Sequence, residues 1–123
     1  VLPREHRLTR PQDFSAVMRR GSRAGTSSVV VSVLLTPTQQ ISAWRCGFIV
    51  SKVVGNAVIR HRTVRRLRHL VAELISSGEL ELPQRHSVDL VVRALAEAPQ
   101  LEHQDLKADL TSGTRRALKK AVQ

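Results

Sequence analysis

Acidic residues are absent from almost half of this chain, and cysteine, aromatic residues and long apolar runs are scarce throughout. The single cysteine, Cys46, excludes an internal disulfide and fits a reducing compartment. With one Trp, two Phe and no Tyr, few rings are left for base stacking. No apolar run approaches the roughly 18 residues of a membrane-spanning helix, and the stretch 29–35 is only strand-length. The first seven residues lack the apolar middle of a signal peptide, so the chain reads as soluble and cytoplasmic, with no membrane partner. Between residues 14 and 72 there is no Asp or Glu, while nine Arg and Lys52 give ten positive charges. From Glu73 onward acids and bases nearly cancel, so the net charge of +10 is one-sided. Such a field suits a polyanion, because neutralised phosphates release condensed counterions.

What is present is concentrated in residues 52–70, where five arginines occupy the nine positions 60–68 after a Gly55-Asn56 start. Sixteen of the 20 basic residues are Arg, whose planar guanidinium grips phosphate bidentately where lysine acts as a hydrated point charge. On a helix with Arg60 set at zero, His61, Arg62, Arg65, Arg66, Arg68 and His69 span an arc of roughly 80° to 240°. Val64, Leu67, Leu70, Val71, Leu74 and Ile75 fill the complementary arc. One face is basic and the other is core. Arg60 falls on the apolar side and is expected to snorkel outward from the first turn.

The spacing predicts a first helix from Thr9, with a capping hydroxyl and an early Pro11, ending at Gly21. Phe14, Val17 and Met18 form its apolar stripe. Residues 28–35 and 43–51 read as strands, most simply an antiparallel hairpin across the polar loop 36–40. Alternation puts Trp44, Cys46, Phe48 and Val50 on one face of the second strand and Arg45, Gly47 and Ile49 on the other. Asn56 caps the Arg-rich helix and Gly78 stops it. A third main strand is read at 87–94 and a final helix at 101–122, weakened in its middle by Gly113. The whole chain, 1–123, forms one α+β domain, helices on a small mixed sheet.

Catalytic constellations are missing. The five histidines show no zinc-type clustering, and one glycine before the central helix falls short of a phosphate-cradling loop. No Ser, His and Asp grouping is visible, and Cys46 has no activating partner. A chain serving an enzyme without such groups leaves the chemistry to a partner.

At these residues the chain resembles the protein subunit of bacterial ribonuclease P. Gly47-Phe48, Val50-Ser51-Lys52, Gly55-Asn56-Ala57-Val58, Arg60, Arg62, Arg65 and Arg68 match the family pattern, as do Asp13-Phe14, Val17, Gly21 and the late strand 89–93. Val53, His61 and Val64 depart from the usual lysine, asparagine and lysine, and Arg66 is an added base. The resemblance implies a two-layer α/β sandwich of αβββαβα order, ribosomal-protein-like, with a left-handed βαβ crossover and a short extra strand near 23–26. It implies that Lys52, Asn56, Arg60, His61, Arg62, Arg65, Arg66 and Arg68 meet a catalytic RNA. The 5′ leader of precursor tRNA would lie along Arg7, Phe14, Met18, Val30 and Ser32, and Mg²⁺ would be held by the RNA rather than by this chain. No DNA partner is implied. A ribosomal or general RNA-binding module explains the charge equally well, and a self-contained ribonuclease using His61 or His69 is a third reading.

Overall fold

The computed structural model describes residues 2–39 and 43–123; Val1 and the end of the polar loop 36–40 lie outside the described residues. Helix α1 (Pro11–Arg20) starts one residue later than the capping pattern suggests. Its N-cap is Arg10, whose side chain makes no capping bond, and Pro11 supplies the start because its missing N–H would be unpaired in the first turn anyway. The helix ends at Gly21 in extended backbone (φ −77°, ψ 163°). A side chain there would run into the Val17 carbonyl and stand 2.8 Å from the Val33 oxygen, so closeness to the backbone at Val33 demands glycine.

Strand β1 (Ser22–Gly25) is the short extra strand and pairs antiparallel with β2 (Val29–Pro37). β3 (Trp44–Ile49), α2 (Ala57–Ser76), β4 (His86–Ala94) and α3 (His103–Ala121) follow. The sheet order is β1-β2-β4-β3. This corrects the expected hairpin, since β2 and β3 are not neighbours and β4 lies between them, antiparallel to β2 and parallel to β3. The physical reason is in β4 itself. Val88, Leu90, Val91, Val92 and Ala94 are all buried, on both faces, and such a strand is stable only in the middle of a sheet.

One face of the sheet carries the main core. Leu67, Leu70, Val71 and Leu74 of α2 and Leu106, Leu110, Ala117 and Leu118 of α3 pack on Val31, Val33, Cys46, Val88, Leu90 and Val92. Gly113 is a packing position, because a side chain there would sit 3.1 Å from Val31. Trp44, Cys46, Phe48 and Val50 join this core, as the alternation requires. On the opposite face α1 makes a smaller cluster through Leu8, Val17 and Val91, with Phe14, Met18, Leu34 and Ile49 around it. The N-terminal segment runs along the outer side of β3, where Leu8 N–H donates to the Cys46 carbonyl at 3.0 Å. Leu2 and Leu8 are buried there, which covers an otherwise open strand edge.

The hand of the β3-α2-β4 crossover follows from the pairing. The Ala43 carbonyl accepts from Val88 N–H and the Cys46 carbonyl from Leu8 N–H, so odd-numbered residues of β3 turn their backbone groups toward β4. Those same residues, Arg45, Gly47 and Ile49, face α1. For L-residues this places β4 to the right of β3 when the sheet is viewed from the α1 side with β3 pointing up. Helix α2 lies behind the sheet in that view. The crossover is therefore left-handed, against a rule that holds for nearly all such units.

Candidate nucleic-acid interface

The basic face of α2 is set by its first turn. Gly55 takes φ 152° and Asn56 caps the helix, its side-chain oxygen accepting from Ile59 N–H at 2.9 Å. Lys52 stands exposed on a single 3-10 turn just before this cap, and Val53 before the cap and Val58 after it are 71% and 68% exposed. His61, Arg62, Arg65 and His69 are exposed, while Arg68 and Arg66 are half-buried. Arg62 and Arg65 make no hydrogen bond or ion pair among the described residues, so both guanidinium groups are free for an anion. Arg60 lies half-buried on the apolar side, and its Nε is shielded without a hydrogen-bond partner among the described residues. Thr63, assigned to neither arc by the sequence, is buried, its hydroxyl donating to the Ile59 carbonyl at 2.8 Å.

Arg66 does a second job. Its Nη2 donates to the Leu101 carbonyl at 2.7 Å and its Nη1 to that of Ala98 at 3.4 Å, tying α2 to the turn before α3. Arg62, Arg65, Arg66 and His69 then line a depression of about 310 Å³ together with His103. His103 opens α3, and sequence reasoning missed it because only the tertiary packing brings α3 beside α2.

The residues assigned to the leader are spread over the α1 side of the sheet and the outer edge of β3. Phe14 and Arg7 line a cleft of about 220 Å³ with Phe48, Val64 and Arg68. The Phe14 ring lies over Gly47, where a Cβ would collide with it. Met18 and Val30 line a separate depression of about 370 Å³, rimmed by Arg23, Arg93 and Lys120. Ser32 is only 3% exposed and offers no surface of its own. The three rim cations were not singled out in the sequence, where they lie far apart on β1, β4 and α3.

An ion-pair network fixes α1 against the sheet. Arg45 donates through Nε and Nη2 to the two Asp89 oxygens at 2.9 and 2.8 Å and through Nη1 to Asp13 at 3.2 Å. The hydrogen bond to Asp89 leads in raising the Arg45 pKa, with the charges of Asp89 and Asp13 adding to it against desolvation. Asp13 and Asp89 are thus both engaged. Burial pushes the Cys46 thiol far above its usual range, in keeping with a core residue and not a nucleophile.

Residues 2–118 match the Ribonuclease P family model. The chain is 43% identical to the ribonuclease P protein component of Corynebacterium efficiens, with 95% of each chain covered. It is 41% identical to that of Streptomyces bikiniensis, with 96% of each covered. Among solved structures, the Staphylococcus aureus RNase P protein superposes with a TM-score of 0.72 at 23% identity, over 91% of this chain and 94% of that one. The Thermotoga maritima RNase P protein gives 0.66 at 19%, over 93% and 96%.

Proposed function

This chain belongs to the ribonuclease P protein family, and on that premise we propose how its surfaces divide the work of a tRNA-processing endoribonuclease. The exposed face of α2 docks the catalytic RNA, and the α1 side of the sheet guides the single-stranded 5′ leader of precursor tRNA. The observation that carries the first part is the pair of free guanidinium groups on Arg62 and Arg65, on a helix held rigid by its opposite, fully buried face. Bidentate phosphate binding by such a pair fixes register on an RNA backbone without reading its sequence.

In this reading hydrolysis is performed by the RNA with its bound Mg²⁺, in the cytoplasm. The residues here do not suit a protein-held ion. Among the described residues no three His, Cys, Asp or Glu converge on one point, and Asp13 and Asp89 are taken by Arg45. The chain's own part is to neutralise phosphates, to hold the leader against Phe14, Met18 and Val30, and to draw it past Arg23, Arg93 and Lys120. No described helix is long and apolar enough to cross a membrane.

The test is reconstitution with the ribonuclease P RNA of the same genome, assayed for leader removal from precursor tRNA. The protein should restore cleavage at moderate Mg²⁺, and an absence of stimulation at every salt concentration would overturn the reading. A finer prediction concerns Gly47. Its added Cβ in Gly47→Ala would collide with the tip of the Phe14 ring and stand 3.2 Å from the Leu8 Cβ, so the ring must move off Gly47. Stacking on one aromatic contributes about 1–3 kcal/mol per base, so leader affinity should fall about tenfold while docking of the catalytic RNA is unchanged. Binding of leader-bearing and leaderless tRNA by the two assembled enzymes checks this.

A further inference from the structure

Beside the arginine face lies a second concavity, of about 600 Å³, that the division of labour above does not use. Leu2, Trp44, Ala72 and Ile75 give it apolar walls, and His69 and Glu73 stand at its margin. Trp44 is stacked on His6 with ring centroids 4.0 Å apart and planes inclined by 6°. The His6 Nδ1 lies 2.8 Å from the Trp44 carbonyl, and since a carbonyl only accepts, that nitrogen carries the proton and the ring is held in one orientation. An apolar cavity with an aromatic wall and a few polar groups at the rim has the make-up of a small planar-ligand site.

Two features identify the occupant. His69 lines both this cavity and the depression formed by Arg62, Arg65 and Arg66, so the apolar site is continuous with the phosphate-binding face. Trp44 also points to the α2 side of the sheet, away from α1 and the leader surface. We propose that this cavity receives the base of one unpaired nucleotide of the catalytic RNA, whose backbone phosphate is held by the neighbouring arginines. The proposal rests on α2 being the RNA-docking face. A flat base there adds an orientation-specific contact to a docking surface otherwise made of phosphate contacts, which position an RNA but read nothing of it.

Trp44 is the chain's one tryptophan, so its emission reports on this cavity alone. The full-length protein would be titrated with ribonuclease P RNA transcript, following tryptophan emission and, in parallel, RNA binding by anisotropy of a labelled protein. Emission should change on the same curve as the anisotropy, and precursor tRNA alone should leave it unchanged. Ala72→Glu places a carboxylate in the half-buried wall and should weaken RNA binding about tenfold, with its circular dichroism unaltered. His6→Ala, which removes the stacked partner without touching the core helices, should weaken it in the same direction. RNA binding without any change in Trp44 emission, or with both variants at the native affinity, overturns the base site and leaves the docking role of α2 standing. Failure of the RNA to bind at all overturns both.

Discussion

The double variant Arg62→Ala/Arg65→Ala should lose about a hundredfold or more in affinity for the catalytic RNA, since hydrogen bonds to charged groups contribute about 1.5–3 kcal/mol each. The two side chains stand on one exposed face and have no intramolecular partner among the described residues, so their removal leaves nothing unpaired inside the protein. The fold should be unaffected, and the melting temperature should move little. What changes is the dependence on salt. Each phosphate contact contributes a slope of about −0.9 in log K against log salt, so losing two should flatten the slope by nearly 2. Arg66→Ala is the informative control. Its guanidinium already donates to the Leu101 and Ala98 carbonyls, so its loss should lower stability and flatten the slope less than either exposed arginine does. Salt titrations of the double variant, of Arg62→Ala and Arg65→Ala singly and of Arg66→Ala distinguish direct contact from a general loss of positive charge, which would act equally at every position.

The second large effect is expected at Leu70→Ala. Leu70 is fully buried between α2 and the sheet, directly behind the basic face. Truncating such a leucine costs about 2–5 kcal/mol, because the cavity left behind collapses only in part. Against a total stability of about 5–15 kcal/mol this is a large share, and it should lower the melting temperature by roughly 10–20 °C for a chain of this size. Adding the catalytic RNA should restore much of the loss, since a ligand that binds only the folded state stabilises it by mass action. Calorimetry with and without RNA checks both halves. A variant that melted like the native protein would mean that α2 is not anchored through this position.

The division of α2 into two faces was legible in the sequence because a 3.6-residue period needs no knowledge of neighbours. Arg62, Arg65 and His69 emerge on one side, Leu67, Leu70, Val71 and Leu74 on the other, and both assignments agree with the burial observed. Strand alternation in β3 was equally local, and it put Cys46 in the core and Gly47 on the far face. Strand order was not local. The reading of β2 and β3 as a hairpin followed the tendency of consecutive strands to pair, yet the doubly buried β4 takes the place between them. The signal was present in Val88, Leu90, Val91 and Val92, apolar residues that fall on both faces of the strand and suit a central strand better than an edge. The left hand of the crossover, the tether made by Arg66 and the place of His103 beside α2 depend on which elements meet. No window of sequence contains that information. The start of α1 shows a smaller limit, since Thr9 looks like a cap but Pro11 sets the boundary.

The central position of β4 bears on how the chain is made. β2 and β3 are finished early in synthesis, but each lacks its main partner until Ala94 has left the ribosome. Until then the nascent chain carries open strand edges next to a helix rich in arginine, inside a particle whose surface is largely RNA. Aggregation through those edges and premature capture of the helix by ribosomal phosphates are the two hazards of that interval. After release from its tRNA by puromycin, a chain stalled before residue 86 should stay on the ribosome in a salt-sensitive way, and one extended past β4 should let go.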